Sequence, residues 1–459
     1  MRILLTGARG FVGRHLMAKL HERGHQVLAC IHHFPLHPAS PEHSAIRWQQ
    51  VDFSEYHTAE HWLPLLHNID VVINTVGIIH EHPGHSYQQV HERAPQALFD
   101  ACEQANVKRV VQLSALGAKV DAETEFLRSK ARADTDLSQR LLDWAIFKPS
   151  LIIGPGGESF ERLQRVAAWP VWPLIDGGVQ QLQAIDIDDV VKAMIQSVES
   201  KWPVRNTFEL VGPKALSLLE ILQCFRQAQD QNASAAYVIK LPFRAVHRLW
   251  CWVDALLGSW GKRLRGKPFK SKGLISADML LMLQKGNVAN AQTMVQHFGW
   301  MPKSVAASLN TKAYREARHQ QRWQQHFAFL RYSLAMLWLW TAWVSVLGFP
   351  LSESARWLAS LAIPSALQIP LTIAAAALDA VIGTALLLNC RPHCTLKFSL
   401  MLMLLYSVLI TLFLPELWLH PFGPISKNIP LFAASFLLLH WLQATEDSKA
   451  LTAEARACI

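Results

Sequence analysis

The chain has 459 residues, 51% apolar and 17% charged, where an ordinary soluble protein carries about 25% charged residues. Lys plus Arg number 44 and Asp plus Glu 35, a formal charge of +9. This excludes a disordered or fibrous chain, and the distribution of charge excludes a wholly soluble one. Residues 332–445 hold only seven charged side chains: Glu353, Arg356, Asp379, Arg391, Lys397, Glu416 and Lys427. The seven cysteines are mostly isolated and suggest no disulfide framework, which suits a reducing compartment. Residues 1–5 are too few for a secretory h-region, so the N-terminal part is expected in the cytosol. No nucleic-acid partner is expected, because a membrane surface accounts for much of the basic excess.

Residues 2–6 have strand character and break at Gly7-Ala-Arg-Gly10-Phe-Val-Gly13. Residues 14–23 then read as a helix ending at Gly24, and 27–31 as a second strand. Strand, glycine turn, helix and strand form a βαβ unit. The spacing Gly7-x-x-Gly10-x-x-Gly13 suits a dinucleotide. One glycine permits the tight turn, one lets a pyrophosphate approach the backbone, and one lets the helix pack on the strand. Unpaired N–H groups at the helix N-terminus then face the phosphate.

Further strands are expected at 46–51, 71–75, 109–113, 144–148 and 208–211, with helices between them, most clearly over 91–105. This alternation implies an α/β fold, a Rossmann-type doubly wound parallel sheet with ligands at the carboxyl ends of its strands. Asp52, followed by Phe53, comes after the third strand and suits either an adenine edge or a helix N-cap. The second strand ends in Ile31-His32-His33, with no carboxylate to hold a ribose 2′-hydroxyl. Arg9 can instead pair bidentately with a 2′-phosphate, and His32 can add a hydrogen bond. NADP(H) is therefore expected over NAD(H), which stays possible.

His80-Glu-His82-Pro-Gly-His85 follows the strand region 71–79 and is expected near the nicotinamide end. Three histidines there can hold a metal. Most of the 21 histidines precede residue 92, however, so a solvated loop with no metal is the expectation. Residues 241–260, with Trp250, Trp252 and Trp260, run into a basic stretch over 261–272. That pairing suits an anionic lipid surface or, equally, a helix and solvated loop of a substrate-side lobe.

Thr6-Gly-Ala-Arg-Gly-Phe-Val-Gly13, Asp52-Phe53, Ser114-Ala-Leu-Gly117, Arg128-Ser-Lys130, Lys148-Pro-Ser-Leu-Ile-Ile-Gly-Pro-Gly156 and Asp186-Ile-Asp-Asp-Val190 occur in this order. Together they resemble the extended or atypical short-chain dehydrogenase/reductase family over about residues 1–310. His91-Glu-Arg-Ala-Pro95, followed by Val107-Lys-Arg-Val-Val-Gln-Leu-Ser-Ala-Leu-Gly117, is similar to the branch of the 39-kDa accessory subunit of respiratory complex I. The resemblance implies a small substrate lobe beside the sheet. It also implies cofactor contacts from Gly7, Arg9, Gly10, Phe11, Val12 and Gly13, and from His32, Asp52, Phe53, Gly77, Lys130 and Pro149.

In that family a Ser and a Tyr-x-x-x-Lys move the proton. Ser114 and Lys130 match the serine and the lysine as catalytic residues, but Phe126 stands at the tyrosine position. A phenyl ring can neither give nor take a proton. The resemblance thus implies the fold and the cofactor and leaves two functions open. One is an oxidoreductase acting on a lipid-soluble or quinone substrate. The other is a non-catalytic NADP(H)-binding module that stabilises or assembles a membrane complex.

Four apolar spans follow at 332–350, 367–388, 398–415 and 429–443. At about 1.5 Å per residue the first three can cross a hydrocarbon core of about 30 Å, and the fourth needs flanking residues. They imply an all-α four-span transmembrane bundle over 332–445, preceded by a basic juxtamembrane linker, 311–331, and followed by a tail, 446–459. Trp338, Trp340, Trp343, Trp357, Trp418 and Trp441 suit interfacial anchors. Lys and Arg number nine in the approach 311–331, the loop 389–397 and the tail, against Arg356 and Lys427 on the other side. This places both termini in the cytoplasm and the chain in the cytoplasmic (inner) membrane. Asp379 lies inside the second span and suits a proton or quinone site, or hydrogen bonds between helices. Cys390-Arg-Pro-His-Cys394 reads as a turn, since it leaves a zinc shell incomplete. The span count, with Asp379 and Gly383, resembles the DoxX-like membrane family.

Overall fold

Short apolar runs separated by turn residues fold as the inner strands of the sheet, where both faces are buried under helices. The computed structural model describes residues 1–459 except 33–45, 82–83, 202, 230–235, 247, 249–276, 360–362, 420–424 and 459. Seven strands form one sheet: β1 (Arg2–Thr6), β2 (Gln26–Ile31), β3 (Ile46–Gln50), β4 (Val71–Asn74), β5 (Arg109–Leu113), β6 (Asp143–Pro149) and β7 (Asn206–Leu210). Their order is β7-β6-β5-β4-β1-β2-β3, and every pairing is parallel. The order reverses between β1 and β4, so the crevice beside β1 is the switch point where open α/β sheets take ligands.

Alternate residues of each strand enter opposite cores. Ile3, Leu5, Val27, Ala29, Val71, Ile73 and Val111 join one cluster with Leu16 and Leu20 of helix α1 (Phe11–Glu22). Leu4, Cys30, Val72 and Val110 join the other, with Leu98 and Phe99 of α2 (Ala94–Gln104) and Ala133 and Leu137 of α3 (Glu125–Gln139). A polar line crosses the middle of the sheet: the Thr6 hydroxyl donates to Asn74 Oδ1 (2.6 Å), and Asn74 Nδ2 donates to Gln112 Oε1 (2.8 Å).

The helix expected at 14–23 starts at Phe11, with Gly10 as its N-cap. The helix expected over 91–105 is interrupted at its start. A wide π turn, Gln88–Arg93, precedes α2 and carries the buried His91. Segments after residue 152 that do not return to the sheet build a lobe around a third cluster. Phe160 of α4 (Glu158–Ala167), Trp172, Phe225 and Tyr314 meet there. The Asp186-Ile-Asp-Asp-Val190 motif caps α5 (Ile187–Glu199): the Asp188 N–H donates to Asp186 Oδ1 at 2.8 Å, and the Tyr314 hydroxyl donates to the same carboxylate at 3.0 Å. Of the stretch 241–260, residues 249–260 lie outside the described residues, as does the basic run 261–272.

The chain divides into two units, one built on Met1–Arg318 and one spanning His319–Ala457. The second contains most of α6 (Lys312–Trp343), continued by a π turn, Val344–Gly348, and then α7 (Ser365–Leu387), α8 (Pro392–Phe413) and α9 (Asn428–Cys458). Three helical segments among the described residues, Lys312–Gly348, Ser365–Leu387 and Pro392–Phe413, are long and apolar enough to cross a membrane. The fourth expected span, 429–443, forms the first half of α9. At Gly383 of α7 a Cβ would lie 2.7 Å from Leu339 and 3.0 Å from the Ala335 carbonyl of α6, so only glycine permits this approach. Asp379, one turn earlier, is buried and accepts a hydrogen bond from the Thr341 hydroxyl at 3.4 Å.

Candidate functional site

The turn from β1 into α1 has a different task for each glycine. Gly7 has φ +70°, a left-handed conformation that costs other residues energy. A Cβ on Gly13 would stand 2.1 Å from the Gly7 carbonyl oxygen, so the helix can pack on the strand only there. A Cβ on Gly10 meets a single described atom within 4 Å, the Gly7 carbonyl oxygen at 3.0 Å, which leaves the space above it clear. Val12 is buried in the sheet core and contributes packing, while Arg9 is exposed on the turn. The Phe11 ring lies where a Cβ on Gly157 would be (2.7 Å), Ile187 lies where one on Gly154 would be (2.4 Å), and Arg14 donates to the Pro155 carbonyl (3.2 Å).

Beyond β2 and β3 the chain brings His32 to Asp52, with Nε2 3.0 Å from Oδ2. The Ser54 N–H and hydroxyl both donate to Oδ1, at 2.8 and 2.7 Å. Burial pushes the Asp52 carboxyl up, but these two hydrogen bonds and His32 outweigh it and leave its pKa below the usual value. The Phe53 ring is buried edge-to-face against Trp62, 5.4 Å between centroids, and so contributes packing. The loop after β4 does not stay where the sequence put it. It turns back so that His85 Nδ1 lies 3.9 Å from Asp52 Oδ1, at the end expected for adenine rather than nicotinamide.

At the carboxyl ends of β4 and β5, Gly77 faces Lys130 and His91. A Cβ on Gly77 would lie 3.2 Å from Lys130 Nζ and 3.6 Å from His91 Nε2. His91 Nε2 accepts from the Ile78 N–H (2.9 Å), which puts its proton on Nδ1, toward Ser129 Oγ (3.0 Å). Burial, and then the Lys130 ammonium, hold His91 far below the usual imidazole range, so it is neutral. Lys130 donates to the Leu113 carbonyl (3.3 Å) and lies 5.9 Å from the Phe126 ring centre. Burial lowers its pKa to about 8, against a smaller opposing pull from Asp134. The Ser114 hydroxyl donates to Asp134 Oδ2 at 2.6 Å. Burial raises the Asp134 carboxyl despite Ser114, Lys148 and Lys130 around it. Pro149, at the end of β6, accepts the Leu116 N–H through its carbonyl at 2.8 Å.

Sequence reasoning named Ser114, Lys130 and Phe126 and missed Asp134, His91 and Tyr87. The spacing Phe126-x-x-x-Lys130-x-x-x-Asp134 is a signal for the first, since residues four apart share a helix face. The other two come from a different segment. The Tyr87 ring stacks on His91 (5.4 Å) and meets Phe126 edge-on (6.0 Å), while its hydroxyl donates to the Ile79 carbonyl at 2.6 Å. Beside this crevice a cleft of about 380 Å³ is lined by Leu116, Leu127, Leu281 and Met282, with Glu209 and Lys285.

A doubly wound parallel sheet with this glycine turn at its switch point defines a Rossmann-type dinucleotide domain, here followed by apolar helices of membrane-spanning length. Comparison with known proteins agrees: residues 7–165 match the NAD(P)H-binding family and residues 335–436 the DoxX-like family. The chain is 28% identical over 244 residues to the mitochondrial NADH dehydrogenase (ubiquinone) 1 alpha subcomplex subunit 9 of Arabidopsis thaliana, covering 52% of this chain and 59% of that one. It is 24% identical over 261 residues to a ceramide reductase of Caulobacter vibrioides, covering 55% of this chain and 77% of the other. A nucleoside-diphosphate-sugar epimerase of Staphylococcus aureus shares the fold, with TM-score 0.52 and 14% identity over 68% of this chain and all of its own.

Proposed function

We propose that this chain is a membrane-anchored, NADP(H)-using oxidoreductase of the short-chain dehydrogenase type that acts on a lipid-soluble substrate. The observation that carries this reading is Lys130, an ammonium buried beside Gly77 whose pKa has fallen to about 8. At neutral pH it holds a proton that it can release, which is what an acid catalyst needs. A bound reduced nicotinamide would supply hydride. Ser114 directs its own proton at Asp134 and so offers a substrate only lone pairs, which leaves Lys130 as the donor toward a carbonyl oxygen. His91 is neutral and hydrogen-bonded through both nitrogens, so it shapes the crevice without exchanging charge. Phe126 keeps water from Lys130 but supplies no proton. The half-apolar cleft beside Leu127 and Met282 suits an amphiphilic molecule, and the likeness to a ceramide reductase supports a lipid.

Arg9 on the turn and the lack of a carboxylate at the end of β2 favour NADP(H). The excess of Lys and Arg on one side of the apolar segments supports four spans, α9 supplying the fourth, in the cytoplasmic membrane with both termini in the cytoplasm. A second reading, a non-catalytic module held in a membrane complex, is favoured by Phe126 and by the relative that is an NADH dehydrogenase subunit.

The test uses the full chain in lipid nanodiscs, following NADPH oxidation with lipid-soluble carbonyl and quinone acceptors. Turnover is expected well below the roughly 10 s⁻¹ of a typical enzyme, lost in Lys130→Met and raised in Phe126→Tyr. Retained nucleotide without oxidation, in wild type and Phe126→Tyr alike, would establish the second reading.

A further inference from the structure

We infer that His32, Asp52 and His85 form a binding site for a zinc-class divalent cation at the carboxyl ends of β2 and β3. The three residues come from separate segments, after β2, after β3 and in the loop that follows β4. One ligand atom from each lies within 4.8 Å of the other two. The carboxylate stands between the two imidazoles, 3.0 Å from His32 Nε2 and 3.9 Å from His85 Nδ1, and the rings meet edge-to-face at 5.1 Å.

A carboxylate beside one imidazole is an ordinary hydrogen-bonded pair. Here a second imidazole, from another segment, is turned toward the same carboxylate, so that three ligand atoms gather within 4.8 Å of one another. A divalent cation satisfies all three ligands together, as two histidines and one carboxylate do in many zinc sites. The supporting contacts are those a metal site needs. The Ser54 N–H and hydroxyl hold Asp52 Oδ1, leaving Oδ2 toward His32. The loop that carries His85 is tied at both ends: the Tyr87 hydroxyl donates to the Ile79 carbonyl, and the Tyr87 N–H donates to Glu81 at 2.9 Å. Three protein ligands leave a fourth position open, so the site is of the exchangeable kind and distinct from a closed structural zinc. Imidazole and carboxylate ligands favour zinc, cobalt, nickel and copper over magnesium or calcium.

This inference is independent of whether the chain is catalytic, and its test contains no nucleotide. The full-length protein in nanodiscs is stripped with a chelator and titrated with Zn²⁺ by calorimetry and with Co²⁺ by visible absorption. One site is expected. His85→Ala and Asp52→Asn should each weaken it at least about tenfold, a change of about 1.4 kcal/mol, while His80→Ala leaves it unchanged. His85 lies on a loop, so His85→Ala keeps the fold and carries the test even if Asp52→Asn does not fold. No binding by the wild type, binding unmoved by His85→Ala, or an equal loss in His80→Ala would overturn the site.

Discussion

Phe126 and Lys130 stand one turn apart on α3, so the ammonium meets a ring face where a phenol would have shared its proton. Lys130 is also the group whose burial has a readable consequence. Its folded pKa of about 8 lies below the ordinary 10.5 of an unfolded lysine, so the unfolded chain binds the proton more tightly. Below about pH 8 both states are protonated and the burial penalty is felt in full. Between about 8 and 10.5 the folded state sheds its proton first, and stability from this group rises with pH. The unfolding midpoint of the nucleotide-binding unit is expected to rise over this window by an amount worth on the order of 1–3 kcal/mol. In Lys130→Met that slope should vanish, and identical profiles would mean that Lys130 is solvated. Ser114, Lys130 and the missing tyrosine were legible through the resemblance to the short-chain dehydrogenase/reductase family, whose Tyr-x-x-x-Lys spacing is local. His91 was not legible as a partner of Ser129, since 38 residues separate the two and only the fold joins them.

The β1–α1 turn divides its labour among side chains in a way that one titration can separate. Gly10→Val puts a branched side chain over the turn, where its Cβ meets the Gly7 carbonyl oxygen at 3.0 Å, so in a variant that folds NADP(H) affinity should fall at least about tenfold. Arg9→Ala should leave NAD(H) binding alone and weaken NADP(H) by about 1.5–3 kcal/mol, the usual worth of a hydrogen bond to a charged group. Unchanged NADP(H) affinity in either variant would remove that residue from the site. The strands of this sheet were readable to within two residues, because parallel strands buried on both faces are short apolar runs. The helix expected from residue 14 starts at Phe11, inside the glycine turn, and the lack of a side chain at Gly13 is what lets α1 touch β1. The π turn at 88–93 and the return of His85 toward Asp52 leave no periodic trace in the sequence. Both depend on contacts with other segments.

At the scale of the molecule, the charge asymmetry that suggests orientation can be checked without any knowledge of substrate. Reporter fusions after Gln325, Asn389 and Ala455 should report cytoplasm, and those after Ser352 and Gly423 the opposite side. A cytoplasmic signal at Gly423 would remove the four-span arrangement. The apolar segments themselves were plain in the sequence, because hydrocarbon admits few charged residues. What their interior holds was less plain: Asp379 was visible, but its Thr341 partner 38 residues away was not. The order of the elements along the chain also has a consequence in time. β7, the last strand of the large sheet, ends at Leu210, and α6 begins at Lys312, roughly 100 residues later. At about 5–20 residues per second a ribosome needs roughly 5–20 s to make that interval. Folding of small mixed α/β domains falls between the microsecond and second ranges. The strands can therefore find one another in water before any segment that would prefer a bilayer has been made, and the two solvents never compete for the same stretch of nascent chain.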